Sequence, residues 1–508
     1  MDIIQSLLER GILVSPDVMD DSSLVRVLPG LTEEQLACAS IIDKDFLVSV
    51  GLLSKGDTGT AGPNFKVIFS YEKKPKKLSV LDFTSYFNRR FEKLSSFLRQ
   101  RLEFQRTMSI NRLKGKTEKE QVAIIGLVFE KSVTKNNNII ITLEDPTGSI
   151  NVMIKPDKKE LYAFAKDIVL DELIGIEGTL SNNFVFVNQI FIPDVPDTKE
   201  FKMGPTDDCV AVLGDPHFGS KAFLKGEFED FIEWINQRKG NEDQKALAAK
   251  VKYLVMAGDL VEGIGIYPGQ EEDLTINNIQ EQYDVFANYI RSIPNHIRIF
   301  ISPGNHDAGR ISEPQPPIQH KYAESLRSIP NVTLVSNPAI VNIGATSEFP
   351  GFDFLIYHGY SLTYYADHVD SIRSKGGQKR SDLIMRFLLQ RRHLAPTHTS
   401  NLYMPDSEED PMVISKLPDF FITGHIHRVS VSNYKNITLI NGSCWDSMTE
   451  YEEKRGLLPQ PAKVPVINLK TREVKIINFL KDDKDSQGKL LPRMEAVGKQ
   501  KDGKGVKE

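Results

Sequence analysis

Five times between residues 210 and 427 an apolar run gives way to side chains that hold metal ions. Val210-Ala211-Val212-Leu213 leads into Gly214-Asp215-Pro216-His217, and Tyr253-Leu254-Val255-Met256-Ala257 into Gly258-Asp259. Residues 297–301 lead to Gly304-Asn305-His306-Asp307, Phe354-Leu355-Ile356-Tyr357 to His358-Gly359, and Phe420-Phe421-Ile422-Thr423 to Gly424-His425-Ile426-His427. Five of the chain's ten histidines fall in these positions. Short apolar runs alternating with longer segments predict an α/β domain, and in open α/β sheets ligands gather beyond the carboxyl ends of the strands. Residues far apart in the chain are therefore expected to converge.

Imidazole, carboxylate and amide oxygen together make a mixed nitrogen and oxygen donor set, suited to Mn, Fe or Zn rather than to Mg or Ca. There are enough donors for two ions. Two ions a few ångströms apart commonly share a carboxylate and a water whose lowered pKa makes it a nucleophile near neutral pH. Taken singly, Gly-Asp or His-Gly is an ordinary turn, and a lone histidine is more often part of a satisfied core. Only the five segments in this order and context are specific.

Gly-Asp-Pro-His, Gly-Asp-Leu-Val-Glu-Gly, Gly-Asn-His-Asp, His-Gly and Gly-His-Ile-His resemble the motifs of the calcineurin-like metallophosphoesterase superfamily. Three flanking segments narrow the likeness: residues 265–272, residues 391–397 and Glu144-Asp145-Pro146-Thr147-Gly148. With an OB-like module ahead of the phosphoesterase, residues 80–480 resemble the small subunits of archaeal D-family DNA polymerases. The resemblance implies that Asp215, His217, Asp259 and His427 hold one metal and that Asp259, Asn305, His358 and His425 hold the other, with Asp259 bridging. It gives His306 the scissile phosphate and leaving oxygen, and Asp307 the task of orienting His306. It implies a metal-dependent 3′-to-5′ exonuclease with two divalent ions, manganese favoured and Fe, Zn or Ni as alternatives. The implied partners are the large catalytic subunit of a heterodimeric polymerase, DNA with a 3′ primer end, and a sliding clamp. Two rivals stay open: a non-catalytic scaffold subunit and a stand-alone phosphodiesterase or nuclease.

The elements that must position these residues follow from the rest of the chain. With 508 residues, 40% hydrophobic and 26% charged, about three domains are expected. The net charge of −5 gives no global basic signature, so contacts to nucleic acid must be local. Three scattered cysteines, no basic amino-terminal leader and no apolar run of membrane-spanning length predict an intracellular, cytoplasmic protein without membrane contact, and the family resemblance implies that it is nucleoid-associated.

Residues 1–55 read as a small acidic helical module. Nine acidic and three basic residues lie in the first fifty, a helix stops at Gly11, and Thr32 to Gln35 have capping-box spacing. Residues 56–117 read as a linker followed by a basic amphipathic helix. Phe87, Phe91, Leu94, Leu98 and Leu102 mark its apolar face, and Arg89, Arg90, Lys93, Arg99 and Arg101 its solvated face. Residues 118–196 show five strand-like segments with a helix between the third and fourth, the order of an OB-fold barrel, which serves to bind single strands or to dock a partner. Residues 202–480 read as an α/β layered domain, which the resemblance implies is the phosphoesterase, a layered β-sandwich flanked by helices, and 481–508 read as a disordered tail. A second basic patch runs through Arg373, Lys375, Lys379, Arg380, Arg386, Arg391 and Arg392, and is either a solvated face or a DNA contact. His393 and His398 are expected to be structural or solvent-facing. Residues 1–70 are expected to be dispensable for the core.

Overall fold

The computed structural model describes residues 63–480 apart from 74–76, 115, 117, 118, 407, 450–452, 454 and 455, together with residues 493–496 and part of residues 1–50. It divides into two units, Met1–Gly62 and Pro63–Glu508. In the first, β1 (Leu13–Val14) and β2 (Ile41–Ile42) pair in parallel over a core of Leu7, Ile12, Val18, Leu28 and Leu47. Gly11 is left-handed, at the point where the sequence stops the first helix, and Thr32 and Gln35 exchange side chain to backbone hydrogen bonds in the capping-box manner.

In the second unit, five strands close an OB barrel: β4 (Glu120–Val133), β5 (Ile139–Asp145), β6 (Gly148–Ile154), β7 (Leu173–Ser181) and β8 (Phe184–Phe191). Helix α2 (Lys159–Lys166) stands between β6 and β7. The tight β5–β6 turn follows from Asp145, whose Oδ1 accepts from the N–H groups of Thr147 and Gly148.

The larger body has two facing sheets. The first contains β9 (Cys209–Leu213), β10 (Val251–Ala257), β11 (Arg298–Ser302) and β12 (Val332–Leu334) in parallel, then β18 (Lys463–Asn468), β19 (Val474–Asn478) and β20 (Arg493–Ala496) antiparallel. The second runs β16 (Ser430–Tyr434), β17 (Ile437–Asn441), β15 (Phe420–Thr423), β14 (Phe352–Ile356), β13 (Ala339–Ile343) and β3 (Phe65–Ser70).

Val212, Val255 and Phe300 meet Phe354, Ile356 and Ile422 between the sheets. The opposite faces pack against helices: Leu254 and Met256 against α3 (Lys225–Ile235) and α5 (Ile279–Arg291), and Leu355 and Phe421 against α7 (Leu362–His368) and α8 (Ser381–Arg391). Helices α4 (Glu242–Ala249) and α6 (His320–Arg327) add Leu247, Ala248, Ala323 and Leu326 to the layer on the first sheet. Both faces of each central strand are therefore buried, which is why these strands read as unbroken apolar runs rather than alternating ones.

Four expectations change. Phe65–Ser70, which the sequence places in a linker, is the edge strand beside β13, so a deletion of residues 1–70 removes part of the second sheet, whereas one ending at Gly62 does not. The solvated face of the basic helix does not include Arg90: in α1 (Val80–Leu98) this residue is fully buried, and Leu102 lies beyond the helix and is exposed. Arg391 and Arg392 leave the second basic patch for the interior, Arg391 by pairing with buried Glu172 of the barrel at 2.6 Å. In the tail, Arg493–Ala496 extends the first sheet instead of being unstructured; the remainder of 481–508 lies outside the described residues.

The barrel is held to the body along one seam. Phe91, Leu94 and Leu98 of α1 pack on Ile125, Leu127 and Leu173 of the barrel and on Val413. The connecting segment is pinned too, since Asp194 N–H donates to the Gln390 carbonyl and the Asp194 carboxylate pairs with Lys435 at 2.8 Å. Among the described residues, no helix is long and apolar enough to cross a membrane.

Candidate metal centre

Each ligand-type residue stands just past a strand. Asp215 and His217 follow β9, Asp259 follows β10, Asn305 and His306 follow β11, His358 follows β14, and His425 and His427 follow β15. The first three strands belong to one sheet and the last two to the other, so the site lies across the carboxyl edge of the sandwich. Asp215, His217, Asp259, His425 and His427 all have φ between 49° and 67°. Left-handed backbone costs a non-glycine residue roughly 1–2 kcal/mol, and aspartate and histidine are among the residues that tolerate it best. Here it turns the chain sharply enough to aim each side chain back over the strand ends. Gly258 has φ of 90° and faces His358 Nδ1, while a Cβ at Gly304 would collide with the Asp259 carboxylate. Neither position has room for a side chain.

The donors gather into overlapping groups: Asp215 with His217 and His427, Asp259 with His358 and His425, and, sharing His217, Asp259 with His306 and Glu262 with Asp446; the first two match the expected ligand sets. Asn305 Oδ1 lies 2.9 Å from His358 Nε2, and Asp259 Oδ2 lies 3.2 Å from the same nitrogen and 3.9 Å from His217 Nε2. Asp259 is thus between the groups. His427 Nε2 is 3.2 Å from His217 Nε2 and 3.6 Å from Asp215 Oδ1. Asp215, His217, Asp259 and His358 are buried, whereas Asn305, His306, His425 and His427 are partly exposed and form the mouth.

Hydrogen bonding decides which atoms face inward. His358 Nδ1–H donates to the Ala257 carbonyl at 2.8 Å, so Nε2 of the neutral ring presents a lone pair to the oxygens of Asn305 and Asp259. His217 Nδ1–H donates to Glu262 Oε2 at 2.8 Å, so its Nε2 lone pair faces His427. Acceptors pointing at acceptors in a buried space require a positive charge among them. In the bare protein, protons fill that need: burial opposes the charge, but Glu262 raises His217 to about 9, and Asp259 raises His358 to about 10. Divalent cations of the kind suited to mixed nitrogen and oxygen donors fit the same positions.

Asp307 does not touch the His306 ring. Its buried carboxylate accepts from Gly304 N–H at 2.8 Å, Leu260 N–H at 3.2 Å and Tyr283 O–H at 2.8 Å, tying the loop after β10 to the loop after β11. The expected orienting role is therefore exerted on the loop. The ring is set instead by Glu262, whose backbone carbonyl accepts from His306 Nδ1–H at 2.8 Å. His393 is a buried structural histidine, and His398 stacks on Tyr403.

Glu262 is the residue that sequence reasoning passes over, although it stands in the Gly-Asp-Leu-Val-Glu-Gly segment. Its carboxylate holds His217 and its carbonyl holds His306, and Gln270 Nε2 donates to it in turn. Replacing Glu262 by Ala is expected to weaken metal binding about 10–100-fold, the usual cost of losing a partner behind a ligating histidine. Glu262→Gln, which keeps an acceptor for His217 Nδ1–H, should recover part of it. Calorimetric titration of the chain with Mn²⁺ measures both.

Comparison with known proteins gives this architecture its place. Residues 210–431 match the family model of the B-type subunits of DNA polymerases alpha and epsilon, and residues 122–194 match that of an OB-fold nucleic acid binding domain. The chain is 42% identical over 387 residues to the DNA polymerase II small subunit of Methanothermobacter thermautotrophicus, covering 76% of this chain and 77% of that one. The Pyrococcus abyssi protein of the same name is 35% identical over 409 residues, 80% of this chain and 64% of that one. The Thermoplasma acidophilum protein is 33% identical over 498 residues, 94% and 92% of the two chains. The chain belongs to the family of archaeal DNA polymerase II small subunits, the D-family.

Proposed function

We propose that this chain is the 3′-to-5′ proofreading exonuclease of a heterodimeric D-family DNA polymerase, built on a metallophosphoesterase sandwich. The observation that carries the reading is the convergence of inward-facing acceptor atoms from five strand ends on one open-mouthed site. Asp215, His217, Asp259 and His427 would hold one divalent cation, and Asp259, Asn305, His358 and His425 the second, with manganese favoured and Fe, Zn or Ni compatible with the same donors. Bound there, the ions supply charge neutralisation for a phosphodiester and activation of water at neutral pH.

The chain's own groups do the rest. Hydrolysis places the hydroxyl of water on phosphorus, breaks the P–O3′ bond and leaves a proton on the departing 3′ oxygen. His306, with Nδ1–H committed to Glu262, has only Nε2 free at the mouth. Burial lowers its pKa, and a phosphodiester beside Nε2 favours the second proton, which then lies where the leaving oxygen needs it. The main-chain N–H of His306 donates to Asp259 Oδ1 at 2.8 Å, so the proton donor and the carboxylate that stands between the two donor groups keep a fixed relation. In this reading the heterodimer's large subunit carries synthesis, and a primer 3′ end is handed to the present chain.

The purified full chain with Mn²⁺ is expected to shorten a labelled strand from its 3′ end and to remove a mismatched terminus faster than a matched one. A frayed end costs less to unstack on its way into the site. Digestion from the 5′ end, or equal rates on both termini, overturns the proofreading reading. A chain that binds no metal and releases no nucleotide leaves the scaffold role in its place.

A further inference from the structure

We propose that the exposed face of α7 is a stacking track that receives the unpaired 3′-terminal bases of the strand being cut. The inference rests on the nuclease reading above and specifies how its substrate is held.

The track begins at the metal centre. The Tyr360 ring lies against the ring of His425 with centroids 5.6 Å apart, and Thr363 Oγ1 stands 3.5 Å from His425 Nε2. Helix α7 buries Leu362, Tyr365 and Ala366 against the second sheet and leaves Thr363, Tyr364, Asp367 and His368 accessible on the other side, Thr363 and Tyr364 only in part, since the Tyr364 ring also rests on that core. That side is therefore continuous with the mouth of the site. On it, Tyr364 and His368 are stacked face to face, with centroids 4.0 Å apart and planes 11° from parallel. The pair is held still, because His368 Nδ1–H donates to the Tyr364 carbonyl at 2.9 Å. A fixed, partly exposed aromatic surface leading away from a nuclease site is what single-stranded bases stack upon, independent of sequence.

Charge supports the same occupant. The turn at residues 377–380 packs beside α7, where Gly377 approaches the Ala366 carbonyl. It brings Lys379, with Lys375 just before it. Both are exposed, and among the described residues neither makes an ion pair, whereas Arg373 is paired with Asp370 and Arg380 with Asp382. The exposed Asp367 lies on the same face, outnumbered by the two unpaired lysines. Accessible rings on one element and unpaired lysines on the turn packed beside it suit a single strand better than an apolar protein surface.

The test uses the full chain and a single-stranded oligodeoxynucleotide that carries 2-aminopurine beside its 3′ terminus and a phosphorothioate terminal linkage to resist cleavage. Stacking quenches 2-aminopurine fluorescence. The unaltered chain is expected to bind the strand and quench it. The Tyr364→Ala/His368→Ala variant should lose the quenching and bind about tenfold or more weakly, while Tyr364→Phe/His368→Phe should retain both. His368→Ala alone, at an exposed position, serves if the double variant does not fold. Quenching that persists in the alanine variants, binding without quenching, or no binding at all overturns the track. A chain that binds and quenches yet releases no nucleotide from an unmodified strand overturns the nuclease reading and leaves the track standing.

Discussion

If the proposed nuclease function holds, replacing Asp259 by Ala is expected to bring nucleotide release from a 3′ end to background while the chain remains folded. The carboxylate stands between both donor groups, 3.2 Å from His358 Nε2 and 3.9 Å from His217 Nε2, so one substitution removes a ligand from each. It also removes the acceptor for His306 N–H. The sandwich core does not use this side chain, since the strands on either side are buried on both faces by other residues. Metal content, nuclease rate and circular dichroism of the variant together decide the matter, and release at near the original rate would mean that the two groups do not act as one site. His306→Ala is expected to make the contrast: in the proposed function its nitrogen acts on the substrate, so metal content should be unchanged while turnover falls, and loss of an ion would move His306 into the ligand set.

The second large effect lies far from the chemistry, at Arg90. Its guanidinium is fully buried, with Nε donating to Asp410 Oδ2 at 2.7 Å, Nη1 to the Pro396 carbonyl at 2.7 Å and Nη2 to Tyr86 Oη at 2.8 Å. Asp410 also accepts from His393 Nε2–H at 2.8 Å, and Ala395 N–H donates to His393 Nδ1, which settles the tautomer. Arg90→Met leaves the Asp410 carboxylate buried without its cation, a change that costs about 3–5 kcal/mol. In a folded unit as large as Pro63–Glu508 the unfolding midpoint should fall by roughly 3–5 °C.

The triad also predicts a pH dependence. Burial and the neighbouring Arg90 hold His393 down at about 4, against about 6.5 for a free imidazole. Between these values the unfolded chain binds the proton that the folded chain refuses, so the stability that neutral His393 contributes is full above pH 6.5 and declines as pH falls toward 4. Asp410, whose carboxyl is held below its ordinary range despite burial because Arg90 lies beside it, adds a further loss below about pH 4. His393→Gln keeps a donor to Asp410 and an acceptor for Ala395, and should flatten the first part of the decline. Denaturant unfolding of the two proteins at pH 7.5 and pH 5 measures it, and identical slopes would remove His393 from the account.

The ligand-type residues are legible in the sequence for a physical reason. The central strands are apolar over most of their length, with the charged residues Lys252, Arg298 and Asp353 confined to their amino ends, so the polar groups that follow them stand out, and the glycines beside them mark where backbone and side chain come too close for a further Cβ. What cannot be read depends on partners remote in the chain. Arg90 shares its charge pattern with solvated Arg89, and only Asp410 and His393, three hundred residues later, make it an interior group. Arg391 likewise depends on Glu172. Phe65–Ser70 follows a run of turn-forming residues and is a strand only because β13 offers it an edge. Asp307 lies beside the donors as its motif implies, but its partners there are chiefly main-chain N–H groups, which leave no trace in a sequence.

The position of β3 has a consequence for the order in which the protein can be made. Residues 65–70 leave the ribosome early, and the strand they pair with, residues 339–343, leaves roughly 270 residues later. At about 5–20 residues per second, the first strand waits on the order of tens of seconds with its pairing edge open. The OB barrel, whose strands all lie within residues 120–191, can close during that interval. The nascent chain therefore carries a finished barrel with an unfinished sandwich on both sides of it, and β3 stays unpaired until β13 has been synthesised. Any factor that shields an open strand edge would act on this protein during synthesis, before the site exists.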